Sequence, residues 1–169
     1  MLKILIVEDD RQLSTILKYM VEDNPRYRVI GIAEDGPGAI AVAAAEAPDL
    51  ALIDLHLAHG STGYGVAARL NDGGVPCLFV TGRAPGFAMP DLALGCLMKP
   101  FTGDEVHRAL AMAEDIMRGR EPLRPRPPKN FELYETAIEP DPAASAVEAP
   151  LERPTFTRRF AAWVSGTTH

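Results

Sequence analysis

Apolar positions along the first two-thirds of the chain fall into two alternating patterns. One is a short, nearly continuous apolar run bounded by glycine, proline or acidic residues, which is typical of a strand buried on both faces of a parallel sheet. The other places an apolar residue at every third or fourth position, as between Arg11 and about Val21, which predicts an amphipathic helix. The runs predict five strands, at residues 2–7, 27–32, 50–54, 76–81 and 94–98.

The alternation of strands and helices indicates the fold class. Strands separated by helices and joined by short loops imply right-handed crossovers and a parallel sheet with helices on both faces. Residues 1–118 therefore predict a doubly wound α/β domain with a five-stranded parallel sheet and five helices. The connection from Thr81 to Lys99 is short and contains Pro85 and Pro90, so we expect its helix to be reduced or irregular.

The chain changes character after Arg118. Frequent prolines make residues 119–169 a Pro-rich tail, which cannot form a long helix or a central strand and is too short for a DNA-binding or catalytic output domain. Two stretches with fewer prolines interrupt the tail, at residues 131–134 and 156–164. The second predicts an amphipathic docking helix at 155–165. The apolar face of that helix comprises Phe156, Phe160, Trp163 and Val164.

Charge and cysteine content narrow the classes of function. The net charge is −6, and residues 1–118 hold 10 basic and 16 acidic side chains, which argues against sequence-independent nucleic-acid binding. Cys77 and Cys96 have no metal-type spacing and form no disulfide framework, so we expect two buried free thiols in a reducing compartment. The chain shows neither a signal-peptide pattern nor an apolar stretch of membrane-spanning length, which predicts a cytoplasmic protein.

Polar residues follow four of the predicted strands at the point where each strand ends. The acidic run Glu8-Asp9-Asp10 follows the first strand, Asp54 ends the third, Thr81 ends the fourth and Lys99 follows the fifth. The carboxyl ends of parallel strands meet at one edge of the sheet, where ligands bind in open α/β folds. On its own, Asp54 could equally close a loop, but four converging polar groups predict a binding or catalytic site.

The chemistry of these groups points to phosphoryl transfer. Carboxylates from two strands suit Mg²⁺, a hard cation that prefers oxygen ligands and commonly bridges to phosphate. A carboxylate beside that ion, such as Asp54, can attack a phosphoryl group and form an aspartyl phosphate. The ammonium of Lys99 and the hydroxyl of Thr81 would hold the oxygens of the transferred group.

These residues also resemble a known family, the receiver domain of bacterial two-component response regulators. The resemblance runs from Leu2 to about Arg118 and rests on five fragments in order at compatible spacing, which are residues 4–10, 33–39, 52–57, 81–82 and 99–101. The resemblance implies a flavodoxin-like sheet of strand order 2-1-3-4-5. It also implies that a histidine kinase or histidine phosphotransfer protein supplies the phosphoryl group, and that a downstream protein reads the result.

The resemblance assigns a role to each site residue. It implies that Asp54 is the phosphoacceptor, with Thr81 and Lys99 as its catalytic partners. It implies that Glu8, Asp9, Asp54 and the backbone carbonyl of His56 hold Mg²⁺. Asp10 falls one place beyond the acid pair and is expected only to begin a helix. Apart from self-phosphorylation and self-dephosphorylation, no enzymatic activity is implied.

The chain departs from the family pattern in the loop after Asp54 and at two single positions. The loop 58–63 lacks the usual proline and is about one residue longer than common. Gly82 stands where alanine is usual, and residues 79–82 look like the Phe-Ala-Thr-Gly version found in a subgroup of often single-domain receivers. Cys96 stands where a switch aromatic usually lies, three residues before the lysine.

Two other functions compete with a phosphoacceptor. The departures at Gly82 and Cys96 leave open a phosphorylation-independent interaction module, or pseudo-receiver. A phosphatase with an aspartyl intermediate is disfavoured because His56 lies where such enzymes usually carry a second aspartate. The side chains of His56 and His59 are expected to be exposed loop histidines rather than metal ligands or phosphodonors.

Overall fold

The computed structural model describes residues 1–58, 60–120 and 127–134. Six strands form one sheet in the order β2-β1-β3-β4-β5-β6, in which the first five are parallel and β6 is antiparallel to β5. The predicted order 2-1-3-4-5 is therefore confirmed, and a sixth strand extends it. The strands are β1 Leu2–Val7, β2 Tyr27–Ala33, β3 Leu50–Ile53, β4 Cys77–Thr81, β5 Gly95–Met98 and β6 Phe131–Leu133. The helices are α1 Arg11–Glu22, α2 Gly36–Glu46, α3 Gly63–Asp72 and α4 Gly103–Met117.

Helices cover both faces of the sheet, as predicted, and divide the core in two. On one face, side chains of β1 such as Ile4 and Ile6 pack with Leu17 of α1 and Leu110 of α4. On the other face, Leu5 and its neighbours pack with residues of α2 and α3. Burial on both faces accounts for the continuous apolar runs in the central strands.

Helix starts follow the polar residues that precede them. The side chain of Asp10 accepts hydrogen bonds from the first turn of α1, so its predicted role as a helix-start residue is confirmed. Thr102 and Glu105 form a capping box at the start of α4, in which each side chain accepts from the other's backbone amide. These two caps set where the chain turns from the sheet edge into α1 and α4.

The connection after β4 is irregular, as expected from its prolines. Residues 82–94 run through bends and turns, and the described residues contain four helices rather than the five predicted. Pro85 and Pro90 lack the amide hydrogen that a helix interior needs, so no regular helix forms over this span. In the described parts of the chain, no helix is long and apolar enough to cross a bilayer.

Strand β6 lies in the stretch that the sequence assigned to the tail. Phe131 is buried against the α1 and α4 side of the core, and the amide of Tyr134 donates to the carbonyl of Leu94 at 2.9 Å. Gly95 allows the close approach, since a Cβ there would lie 2.5 Å from the carbonyl oxygen of Glu132. The sheet therefore continues beyond Arg118, whereas the predicted docking helix at 155–165 lies outside the described residues.

Candidate functional site

Strand register brings the predicted site residues to one edge of the sheet. Val7 of β1 pairs with Ile53 of β3, so Glu8 and Asp54 leave the sheet side by side. The amide of Asp54 donates to the carbonyl of Val7 at 2.9 Å and keeps the two strand ends together. On the other side, the amide of Lys99 donates to the carbonyl of Thr81 at 2.8 Å.

A buried cluster of two carboxylates and one ammonium forms the centre of this edge. Lys99 Nζ lies 2.6 Å from Glu8 Oε2 and 2.7 Å from Asp54 Oδ2. The side chains of Glu8, Asp54 and Lys99 are 4%, 10% and 18% exposed, so water screens these contacts little. The structure therefore joins three of the predicted site residues through direct ion pairs and leaves a surplus of one negative charge.

Burial and the charges of its neighbours both shift the pKa values within the cluster. Burial raises the pKa of Glu8, and the nearby Asp54 charge adds to the rise, while Lys99 only partly offsets it. Burial by itself lowers the pKa of Lys99, but its hydrogen bonds to Asp54 and Glu8 raise that pKa overall. The shifts favour the neutral form of Glu8 and the charged form of Lys99.

Asp54 also borders a pocket. Asp54 Oδ1 accepts a hydrogen bond from the amide of His56 at 3.1 Å, which fixes the carboxylate plane. Asp54, His56, Gly82, Arg83 and Lys99 line a pocket of about 400 Å³. This volume is ample for a phosphoryl group beside the Asp54 carboxylate, whose Oδ2 is held by Lys99.

Thr81 and His56 are in contact beside that pocket, which His56 lines. Thr81 is fully buried, and its Oγ1 lies 3.4 Å from His56 Nδ1. The amide of Arg83 points to the same hydroxyl at 3.4 Å. The His56 side chain is 62% exposed, in keeping with a loop histidine, although its ring also contacts Thr81. His59 lies outside the described residues.

The donor set fits a hard divalent cation in its chemistry. Glu8 and Asp54 supply carboxylate oxygens, and half-buried Asp9 follows Glu8 directly. Carboxylate and carbonyl oxygens are the ligands that Mg²⁺ prefers, and the surplus negative charge suits a cation. In the described part of the chain, however, no three histidine, cysteine or acidic side chains converge to chelate a metal. The Lys99 ammonium instead pairs with both Glu8 and Asp54.

Two residues that support the site were not singled out from the sequence. Gly63 packs against the strand end, because a Cβ there would overlap the backbone of Asp54 and Leu55. Asn130 donates from Nδ2 to the carbonyl of Met98 at 2.9 Å and to that of Pro100 at 3.1 Å. Gly63 carries a signal, being a glycine beside a helix cap, but nothing near Asn130 in the sequence links it to the site.

Comparisons with known proteins identify the family and the fold. The response regulator receiver domain matches residues 4–111. A curated relative, protein-glutamate methylesterase/protein-glutamine glutaminase 2 of Anaeromyxobacter dehalogenans, is 31% identical over 103 residues. These cover 59% of this chain but only 30% of the relative, and the chain spans similarly small shares, 16% and 26%, of two further curated relatives.

Solved structures of receiver domains share the fold. The signal receiver domain of a modulated diguanylate cyclase from Desulfovibrio desulfuricans is 30% identical, with a TM-score of 0.62 over 72% of this chain and 99% of that one. The receiver domain of the PhyR response regulator from Erythrobacter litoralis is 26% identical, with a TM-score of 0.56 over 67% and 89%. The Phe-Ala-Thr-Gly subgroup stays a prediction, but the chain plainly belongs to the response regulator receiver domain family.

Proposed function

We propose that this chain is a phosphoacceptor in a two-component phosphorelay and that Asp54 accepts the phosphoryl group. The observation that carries the proposal is the Asp54 carboxylate itself. It is buried at a strand end, ion-paired to Lys99 through one oxygen, and borders a pocket of about 400 Å³. A purely structural aspartate has no need of such a pocket.

The residues at the carboxyl ends of the strands each have a role in the proposed reaction. An oxygen of Asp54 attacks the phosphorus of a phosphohistidine, the new O–P bond forms, and the N–P bond breaks with its electron pair returning to the imidazole. Lys99 neutralises charge on the phosphoryl oxygens, and the Thr81 hydroxyl donates a hydrogen bond to one of them. The amide of His56 keeps the attacking carboxylate in orientation, as it does at 3.1 Å in the structure.

A magnesium ion is part of this proposal. Its ligands would be Glu8, Asp9, Asp54 and the backbone carbonyl of His56, and it would supply charge neutralisation at the phosphoryl oxygens. Support comes from the two buried carboxylates, which share the single ammonium of Lys99 and leave one negative charge without a partner in the cluster. Lys99 Nζ must then share Glu8 and Asp54 with the cation.

The partners follow from the chemistry of the donor. A histidine kinase or a histidine phosphotransfer protein would bring the phosphohistidine to the pocket beside Asp54. The added charge on Asp54 would shift a two-state surface that a downstream protein reads, or the group would pass onward to another histidine. Family membership supports this assignment of partner class.

A phosphorylation-independent interaction module is the second candidate. It is favoured by Cys96, a small buried residue at the position of the switch aromatic, and by the lack of a converged metal cluster in the described residues. Lys99 already pairs both carboxylates, so the domain could be stable in one state without phosphorylation. The two candidates differ in whether Asp54 forms a covalent adduct.

The deciding experiment measures that adduct. The protein is incubated with Mg²⁺ and a small-molecule phosphodonor such as an acyl phosphate, and intact-mass spectrometry follows the addition of one phosphoryl group. We expect an adduct that is stable in acid and labile in alkali, as an acyl phosphate is. Asp54→Asn should abolish it, because an amide is no nucleophile towards phosphorus here.

A matched control is Asp72→Asn, which makes the same chemical change at an exposed residue at the end of α3. It should be phosphorylated like the unmodified protein. If the unmodified chain forms no adduct, or if Asp54→Asn still forms one, the phosphoacceptor proposal is wrong. The first of these two results would favour the interaction module.

A further inference from the structure

The backbone around Lys99 is held from both sides. On one side, the Lys99 amide donates to the Thr81 carbonyl of β4. On the other, Asn130 brackets the lysine, with Nδ2 donating to the carbonyls of Met98 and Pro100, the residues that immediately precede and follow Lys99. The amide of Met98 also donates to the Asn130 carbonyl at 2.8 Å. Three hydrogen bonds therefore join Asn130 to residues 98–100, the segment that carries the Lys99 ammonium.

The orientation of the Asn130 amide follows from its neighbours. Both groups facing Nδ2 are carbonyl oxygens, which can only accept, so a flipped amide would place three oxygens against one another. The other end, Oδ1, is buried without a hydrogen-bond partner among the described residues. The side chain of Asn130 therefore acts here as a donor, through its two bonds to Met98 and Pro100.

Strand β6 is built to approach β5 closely at this point. Gly95 leaves room for the carbonyl of Glu132, which a Cβ would approach to 2.5 Å, and Phe131 is buried. This strand lies beyond residues 4–111, the part of the chain that matches the receiver family. Asn130 therefore lies outside the matched stretch, whereas Lys99, the residue that it brackets, lies inside it.

We propose that Asn130 is a positioning residue for Lys99, and that β6 docking and the phosphoryl state of Asp54 are coupled through it. This inference rests on the proposed function for its second half only. Holding Met98 and Pro100 fixes the base of the Lys99 side chain and directs its ammonium to Asp54 and Glu8. Coupling between two sites is reciprocal. If β6 pairing changes the equilibrium for phosphorylation of Asp54 by some factor, phosphorylation changes the equilibrium for β6 pairing by that same factor.

The first test reads Lys99 directly by NMR of lysine ammonium groups. The chain has only four lysines, so the spectrum is simple, and Lys99→Met identifies the Lys99 signal by its loss. We expect Asn130→Ala to shift and broaden that signal, because the ammonium samples more positions. Asn130→Asp has the same shape but cannot donate, so it should perturb the signal at least as much. A residue that only fills space would tolerate aspartate.

Two further variants separate the effect of the Asn130 hydrogen bonds from that of other changes in strand β6. Glu132→Ala changes the exposed side of the same strand and should leave the Lys99 signal in place. Gly95→Ala displaces β6 through its backbone and should reproduce the effect of Asn130→Ala. If the Lys99 signal is unchanged in both Asn130 variants while each remains folded, the positioning role is refuted.

The second test concerns coupling to phosphorylation. Asn130→Ala removes two hydrogen bonds. It should take up a phosphoryl group at least about fivefold more slowly than the unmodified protein, since about 1 kcal/mol, the net contribution of a single hydrogen bond, corresponds to that factor. In a Lys99→Met background, Asn130→Ala should have no further effect, since it acts through Lys99. Equal slowing in both backgrounds would refute the coupling. If the unmodified chain accepts no phosphoryl group, the proposed function fails, while the ammonium spectra still decide the positioning role.

Discussion

Replacing Lys99 by methionine tests the electrostatic description of the site most directly. Methionine keeps an unbranched stem of similar length and removes the charge. Glu8 and Asp54 would then face each other without a cation, at 4% and 10% side-chain exposure. Breaking a buried ion pair from one side is strongly destabilising, because the remaining charge is left uncompensated.

Two independent estimates give the expected loss in the free energy of unfolding. Removing one partner of a buried pair typically costs about 3–5 kcal/mol. Alternatively, each charge-assisted hydrogen bond contributes about 1.5–3 kcal/mol, and Lys99 makes two of them, at 2.6 and 2.7 Å. We therefore expect Lys99→Met to lower the free energy of unfolding by about 3–5 kcal/mol near neutral pH. This is a large part of the 5–15 kcal/mol typical of a domain.

The loss should depend on pH in a defined direction. Burial already raises the pKa of Glu8 above its usual 4.5 with Lys99 present, and removing Lys99 raises it further. The folded state then binds a proton more tightly than the unfolded state, so stability increases as the pH falls through the raised pKa towards 4.5. The destabilisation should be largest at neutral pH and smaller in mild acid.

Urea unfolding at about pH 5 and about pH 7.5 measures both quantities. The double variant Glu8→Gln, Lys99→Met should recover most of the loss at the higher pH, because one uncompensated carboxylate is neutralised. Lys18→Met on α1, away from the cluster, is the matched control and should change stability by about 0.5 kcal/mol or less. A loss below about 1 kcal/mol at neutral pH, or one that is the same at both pH values, would refute the reasoning.

Two more predictions concern the packing around the site. Gly63→Ala should lower the free energy of unfolding in urea by about 1–3 kcal/mol, because the new Cβ overlaps the strand backbone. Gly82→Ala should be nearly neutral, since nothing lies within 4 Å of a Cβ there. Equal losses of stability in the two variants would contradict the packing described for Gly63. Burial raises the pKa of Cys77 to about 12 and that of Cys96 to about 11, so alkylation of the native protein near neutral pH should be slow at both thiols and fast in denaturant. Rapid native labelling of either cysteine would show that its thiol is accessible.

The sequence by itself determined the parallel part of the fold and the polar residues at the carboxyl ends of its strands. Apolar runs such as residues 2–7 and 76–81 can be satisfied only by burial on both faces, which requires helices on each side of the sheet. Once the strands are parallel, their carboxyl ends share one edge, so Asp54 and Lys99 lie at the same edge of the sheet. The strand order that brings them close together came from the resemblance to receiver domains.

Only the tertiary structure decided how the edge is completed. The pairing of Lys99 with both Glu8 and Asp54 depends on side-chain distances that spacing along the chain does not specify. The strand β6 has three residues, too few for a periodic signal, and forms because Gly95 and a buried Phe131 provide a place for it. Asn130 reaches the site across a gap of about thirty residues, and long-range hydrogen bonds of this kind leave no pattern in a single sequence.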